Sequence, residues 1–367
     1  MMFKTMLWLI AIGGAALAAP RRDAGSTVPV PGDPLELVTG PAHAVKSSGR
    51  RNVVVQLLDR ARNNYALRRG GQGYDLKVSF TVDSGGQTEH DGSWKMEDIF
   101  DPKQGHRWTA EASDSYAIIR ISSHGAFYGD EPASHVPLRL QEVRAALFDS
   151  IPPSENVARA AIRKSNVVVN GASLTCVLLS VARNVPSGTP GRRWDESEEC
   201  FDPESGLLRT HSQVPGRYYS YDYTNAPRLA DHVLPRKVIV TEAGRTVTTI
   251  SVDSLTPLPA ADPSLFVPTE EMKARGRAIT MARAQKIWQA SGAGASAPGQ
   301  PAHVVCVFGV VTPAGELVEA HSLQPSDPNS QAAVEAARQM SYSYPGPLAL
   351  RPQQHFVFVI QEFVSSP

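Results

Sequence analysis

The residue types able to do chemistry are sparse in this chain. Three cysteines stand at Cys176, Cys200 and Cys306. In an oxidising compartment Cys176 and Cys200 are close enough in sequence to bridge two neighbouring strands, and a disulfide between them is the expectation. Cys306 lies in an alternating apolar segment, where a thiol packs as a small inert hydrophobe. No Cys-x-x-Cys occurs and no histidine stands at ligand spacing from another, so the pattern argues against zinc and implies no cofactor. The acidic run Asp195-Glu196-Ser197-Glu198-Glu199 lacks the spaced ligands and the ordering glycine of a calcium loop, and reads as a solvated hairpin tip. Gly70-Gly71-Gln72-Gly73 follows a helical pattern rather than a strand, which makes it a helix stop and not a phosphate cradle. The histidines, His124 and His232 among them, fall in strands and turns, with no Gly-x-Ser-x-Gly nucleophile motif. With no nucleophile paired to a base, the expectation is a protein that is not an enzyme.

What the sequence offers instead is aromatic surface. Tyr74, Phe80, Trp94 and Trp108 fall on adjacent predicted strands, where they either line a cavity for an apolar ligand or fill the core. Tyr218, Tyr219, Tyr221 and Tyr223 put aromatics on both faces of one strand, so one face packs in the core and the other meets a lid, a cavity or a partner.

The elements that must position these residues are mostly strands. Val54, Leu57, Leu58, Ala61 and Tyr65 recur at helical spacing and predict a helix near Arg50–Arg69 that ends at Gly70-Gly71. In Tyr74–Ser84 apolar and polar residues alternate strictly, the mark of a half-buried strand. Turn residues punctuate further strands, first at Trp94, His106–Ala112 and Ser115–Ser122. After a helical patch carrying Leu140, Val143, Leu147 and Phe148, they continue through Leu174–Val181, Leu207–Val214, Arg217–Tyr223, Lys237–Thr241 and Thr246–Val252. A helix over 269–289 with Thr269 as its N-cap follows, and then the linker SGAGASAPGQPA. The last stretch runs β-β-α-β: His303–Val311, Leu317–Leu323, a helix with Ala332, Ala333, Ala336, Ala337 and Met340, and a closing strand with Phe356, Phe358, Ile360 and Phe363.

The beginning of the chain is an address. Lys4, an apolar run from Met6 to Leu17 and the small residues up to Ala19 form a signal sequence, residues 1–19, too short to favour a permanent anchor. The expected location is the periplasm; the alternative is an inner-membrane anchor made by residues 6–19. With 36 basic and 36 acidic residues the chain presents no electrostatic case for nucleic acid.

Two resemblances complete the reading. The segments VVCVFGVV at 304–311, PAGE at 313–316, LVEAHSL at 317–323, QAAVEAARQM at 331–340, YSYPGPL at 342–348 and HFVFVIQEF at 355–363 resemble the C-terminal domain of the TonB family of energy transducers. The stretch SDPNS and the helix end Gln339-Met340-Ser341-Tyr342 depart from that family's pattern. More diffusely, CFDPESGLLR at 200–209 and LPRKVIVTEAGRTVTTISVDSLTPLPAADPSLFVP at 234–268 resemble the LolA and LolB type of lipoprotein carrier. Together they imply an α+β chain: signal 1–19, flexible leader 20–49, a LolA-like curved antiparallel half-barrel over 50–268 with covering helices, a helix and linker over 269–302, and a small β-β-α-β TonB-like domain over 303–367. The half-barrel would take a lipid or other apolar ligand. The TonB-like domain would take an outer-membrane or periplasmic protein along an edge strand carrying Phe356, Phe358, Ile360 and Phe363. A signal-anchored energy transducer touching outer-membrane receptors is the alternative.

Overall fold

A computed structural model describes residues 38, 40–85, 91–112, 116–123, 126–130, 138–169, 171–180, 191–275, 285–291, 303–312, 314–343 and 355–363. Residues 1–19, expected to be a signal sequence, and all of the expected linker but Ser291 lie outside them. Among the described residues no helix is long and apolar enough to cross a membrane.

The described residues open with the short strand β1 (His43–Ala44) and helix α1 (Ser48–Tyr65). Ser47 caps α1 by accepting from the Arg50 amide, and Gly71 ends the turn after it in the left-handed region at φ 66°. Five strands then run as a meander: β2 (Tyr74–Val82), β3 (Gly92–Asp101), β4 (Gly105–Ala112), β5 (Tyr116–Ser123) and β6 (Ala126–Asp130). Helices α2 (Leu138–Phe148) and α3 (Ser154–Arg159) lead to a second series: β7 (Ala161–Val169), β8 (Ala172–Ser180), β9 (Ser197–Phe201), β10 (Leu208–Val214) and β11 (Arg217–Asp222). The small hairpin β12 (Arg228–Leu229) and β13 (His232–Val233) precedes β14 (Lys237–Glu242) and β15 (Arg245–Pro257). Then come α4 (Glu270–Arg275), β16 (Gln285–Ser291), β17 (His303–Val311), β18 (Leu317–Ser322), α5 (Ser330–Arg338) and β19 (His355–Phe363).

Among the described residues, thirteen strands form one open sheet in the order β1-β7-β8-β9-β10-β11-β14-β15-β2-β3-β4-β5-β6. The two meanders are joined where β15 pairs antiparallel with β2, Tyr74 opposite Pro257 and Val82 opposite Thr248. Register shifts in the β9–β10, β10–β11, β14–β15 and β15–β2 pairs are the irregularities that bend such a sheet. Alternation decides what each face does. Tyr74, Leu76, Val78, Phe80 and Val82 are buried and face α1 and α2, which contribute Val54, Leu58, Ala61, Tyr65, Leu140, Val143, Ala146 and Leu147 to the same apolar cluster. Outer faces are covered locally. Val38 and Ala42 pack on Leu174, Cys176, Leu178 and Cys200, while Phe266 and Met272 pack on Ile99 and Ile121. Within the expected leader, Val38 and Ala42 are buried on this outer face and β1 pairs with β7.

Cys176 and Cys200 sit directly opposite each other on β8 and β9 and are joined as a disulfide, as the spacing led us to expect. Replacing both by serine removes a cross-link between residues 24 apart, and chemical denaturation of the oxidised protein should show a loss of about 3 kcal/mol. Cys306 is free and buried.

The second sheet has four strands in the order β16-β19-β17-β18. Its Val305, Val307, Val357 and Val359 face α5 through Ala333 and Ala337, and its other face packs on the large sheet. The expected β-β-α-β order over 303–363 is present, with β16 added in front. The helix expected over 269–289 is instead the six-residue α4, capped by Thr269 as read from the sequence, followed by β16 paired parallel with β19. An edge that accepts a strand outweighs local propensity here.

Candidate functional site

The four aromatics proposed as cavity lining are all buried in the main apolar cluster. Phe80 and Trp94 are cross-strand partners with rings stacked at 5.5 Å, and Tyr74 lies 5.7 Å from Phe100. Trp108 takes the Arg144 guanidinium over its ring at 4.1 Å. Their surface is covered by α1 and α2, so α2 decides whether they are core or cavity.

α2 is an unusual cover. Leu140, Val143, Ala146 and Leu147 face the apolar floor, while Arg139, Gln141, Glu142 and Arg144 are also buried. Its charges join two separate polar clusters. On one side Arg144 Nη1 donates to Asp98 Oδ2 at 2.9 Å. Asp98 is fully buried and also accepts from the Tyr74 hydroxyl at 2.9 Å, and it contacts His106 Nε2 at 2.8 Å, with Arg68 at 3.4 Å. Burial alone would raise the Asp98 carboxyl; His106, Arg144 and Arg68 overcome it and hold it well below the usual carboxylate range. Burial pushes the His106 imidazole down, despite Asp98 beside it.

On the other side lies a larger cluster. Arg217 of β11 donates to Glu242 Oε1 at 2.9 Å and to the Tyr219 hydroxyl at 2.6 Å, and pairs closely with Glu142 of α2. Tyr219 donates to Glu142 Oε1 at 2.5 Å. Arg139 Nη1 reaches Glu242 Oε1 at 2.8 Å and Glu142 Oε2 at 3.2 Å, and its Nη2 reaches Glu319 Oε1 on β18 at 3.1 Å. His321, two residues along β18 and so on the same strand face, places Nε2 2.9 Å from Glu242 Oε2. Burial would raise Glu242, and Arg139 with Arg217 holds it well below the usual range; burial raises Glu319.

Aromatic faces roof these charges. Both guanidiniums lie over the Phe308 and Phe356 rings, at 5.0 and 5.5 Å for Arg139 and 5.1 and 5.3 Å for Arg217. Leu138 and Val214 of the large sheet unit pack on Cys306, Phe308, Phe356, Phe358 and Ile360. At Gly216 (φ +82°) a Cβ would stand 2.7 Å from the Leu323 carbonyl oxygen, so the β10–β11 turn needs glycine to let the small unit approach.

This geometry corrects two expectations. The strand carrying Phe356, Phe358, Ile360 and Phe363 is not an edge: β19 pairs with β17 on one side and with β16 on the other. Phe356, Phe358 and Ile360 face the large sheet unit, while Phe363 packs on the opposite side among the valines under α5. The acidic run 195–199 is not a solvated tip. Glu196, Glu198 and Glu199 are buried, Glu196 bound by Arg163 at 2.6 and 2.7 Å and Glu198 reached by Arg192 at 3.4 Å. A burial cost that single-sequence polarity predicts is offset here by arginines brought in from neighbouring strands and loops. Arg139 and Glu142 of α2 are three residues apart, but their partners on β11, β14 and β18 are about 75 to 180 residues away, beyond the reach of local spacing.

No family model and no curated protein matches this chain. Among solved structures it is similar to a LolA superfamily protein from Nitrosomonas europaea, with 9% identity over 58% of this chain and 96% of that one, at a TM-score of 0.37. It is also similar to a putative outer membrane lipoprotein-sorting protein domain from Vibrio parahaemolyticus, with 10% identity over 57% and 95% and a TM-score of 0.34. A third is MucB in complex with MucA(peri), with 12% identity over 69% and 74% and a TM-score of 0.25. With every one of these scores below 0.5, the class of protein is defined by its own strand order: an open antiparallel sheet with α1 and α2 on one face and a small α+β unit docked at its side. The β-β-α-β order of the tail is a property of this chain, and no comparison connects it to the TonB family.

Proposed function

We propose that this chain is a non-enzymatic binding protein of the periplasm that takes an apolar ligand, such as a lipid acyl chain, against the helix-covered face of its large sheet. The observation that carries the reading is the construction of α2. Its apolar side covers a floor of Phe80, Trp94, Met96 and Trp108, while its buried charges latch it at both flanks to Asp98 and to Glu242. A cover held by polar clusters can be released without unfolding the sheet beneath, and the released floor is apolar. A protein partner would add to the small sheet at an outer strand, β16 or β18, and β18 carries the exposed Val318.

The test is fluorescence titration of the full chain with N-phenyl-1-naphthylamine. Saturable binding that is displaced by a long-chain fatty acid and shifts tryptophan emission is the expected result. A signal that rises linearly without saturation, or that the fatty acid leaves unchanged, sinks the proposal.

A further inference from the structure

Where the two sheets meet, four polar atoms have no hydrogen-bond partner among the described residues: Glu242 Oε2, Glu319 Oε2, and both ring nitrogens of His321. Glu242 and Glu319 are each only 1% exposed. Buried polar atoms are almost always satisfied, so four orphans together call for an occupant. We infer that Glu242 of β14 with Glu319 and His321 of β18 forms a Zn²⁺ site that staples the four-stranded unit to the large sheet.

The first support is convergence. One donor atom from each of the three residues lies within 4.8 Å of the other two. His321 Nε2 and Glu242 Oε2 are 2.9 Å apart, yet both are without a hydrogen bond. Donors that stand at contact distance without aligning on each other are arranged as ligands around a common centre are, since zinc holds N and O ligands at about 2.0–2.2 Å.

Orientation is the second. Arg139 binds Oε1 of both Glu242 and Glu319, at 2.8 and 3.1 Å, which leaves Glu242 Oε2 to face His321 Nε2 at 2.9 Å, while Glu319 meets the same ring through Oε1, 3.8 Å from Nδ1. Outer-shell hydrogen bonds that fix a ligating carboxylate in this way are a regular part of metal sites.

Charge is the third. Glu142, Glu242 and Glu319 face two cations, Arg139 and Arg217, with Tyr219 neutral, so one carboxylate is in excess in a nearly dry setting. Zn²⁺ carrying a hydroxide as its fourth ligand supplies the missing positive charge. A mixed nitrogen and oxygen donor set selects zinc over calcium or magnesium, which take oxygen. The His321 side chain is 22% exposed, which gives the ion a way in.

The test uses the full chain, stripped of metal by dialysis against chelator and titrated with zinc chloride by calorimetry. One Zn²⁺ per chain is expected, with a raised melting temperature. His321→Ala and Glu319→Gln should each weaken binding by about tenfold or more, while His232→Ala, on the distant β12–β13 hairpin, leaves it unchanged. Should His321→Ala fail to fold, Glu319→Gln and the wild-type titration still decide. The inference is overturned by absence of stoichiometric binding, or by wild-type affinity in both variants.

Discussion

Replacing Arg217 by methionine should lower the unfolding free energy by about 3–5 kcal/mol, with the denaturant slope unchanged. The guanidinium is 1% exposed and holds Glu242, Glu142 and the Tyr219 hydroxyl while lying over Phe308, Phe356 and Phe358. Methionine keeps most of the volume under those rings but leaves Arg139 as the arginine that Glu142 and Glu242 must share. The loss is the cost of buried, under-compensated carboxylates rather than of lost packing. Adding Glu142→Gln to Arg217→Met should recover part of it, because the amide removes one of the stranded charges. Equilibrium urea unfolding of the wild type and the two variants is the measurement. A loss below about 1 kcal/mol in the single variant would mean that this cluster contributes nothing net.

The second large effect is at Asp98. Asp98→Asn at neutral pH should cost about 3 kcal/mol, since the carboxylate is fully buried and anchors Arg144 of α2 together with Tyr74, His106 and Arg68. The sign of its pH dependence follows from its depressed folded value. Stability contributed by the ionised form is complete above the unfolded value of about 3.9 and is lost as pH falls through that value and on toward the lower folded one. His106 acts in the same sense. Its folded value is lowered, so the neutral form is favoured, and its contribution is complete above about pH 6.5 and shrinks below it. Wild-type stability should therefore decline from mildly acidic pH downward. The gap between wild type and Asp98→Asn should be widest near neutrality and close in acid. A gap that stays constant across that range would show that Asp98 is not ionised in the folded protein.

These clusters also show where sequence reading stops. Tyr74–Val82 was legible because strict alternation has one physical cause, a strand with one face in the core. Cys176 and Cys200 were legible because two cysteines at that separation in neighbouring strands have few other uses. The β-β-α-β order of the tail followed from its turns and its alanine-rich helix. Residues 195–199 were misread because burial of a charge depends on partners, and Arg163 and Arg192 are not part of the run. The strand at Phe356–Phe363 was misread as an edge because β16 lies some 70 residues upstream in a segment whose local pattern looks helical.

By itself, then, the sequence determined the type and extent of most strands, the disulfide, and the absence of a recognisable catalytic motif, since these rest on period, turn residues and spacing, which are local. The tertiary structure alone decided that the helix-covered face is closed by a cover with buried charges, that β19 is internal, and that Glu242, Glu319 and His321 meet. Ionic and metal-ligating contacts are set by distances of a few ångströms between residues far apart in the chain, and no local periodicity encodes them.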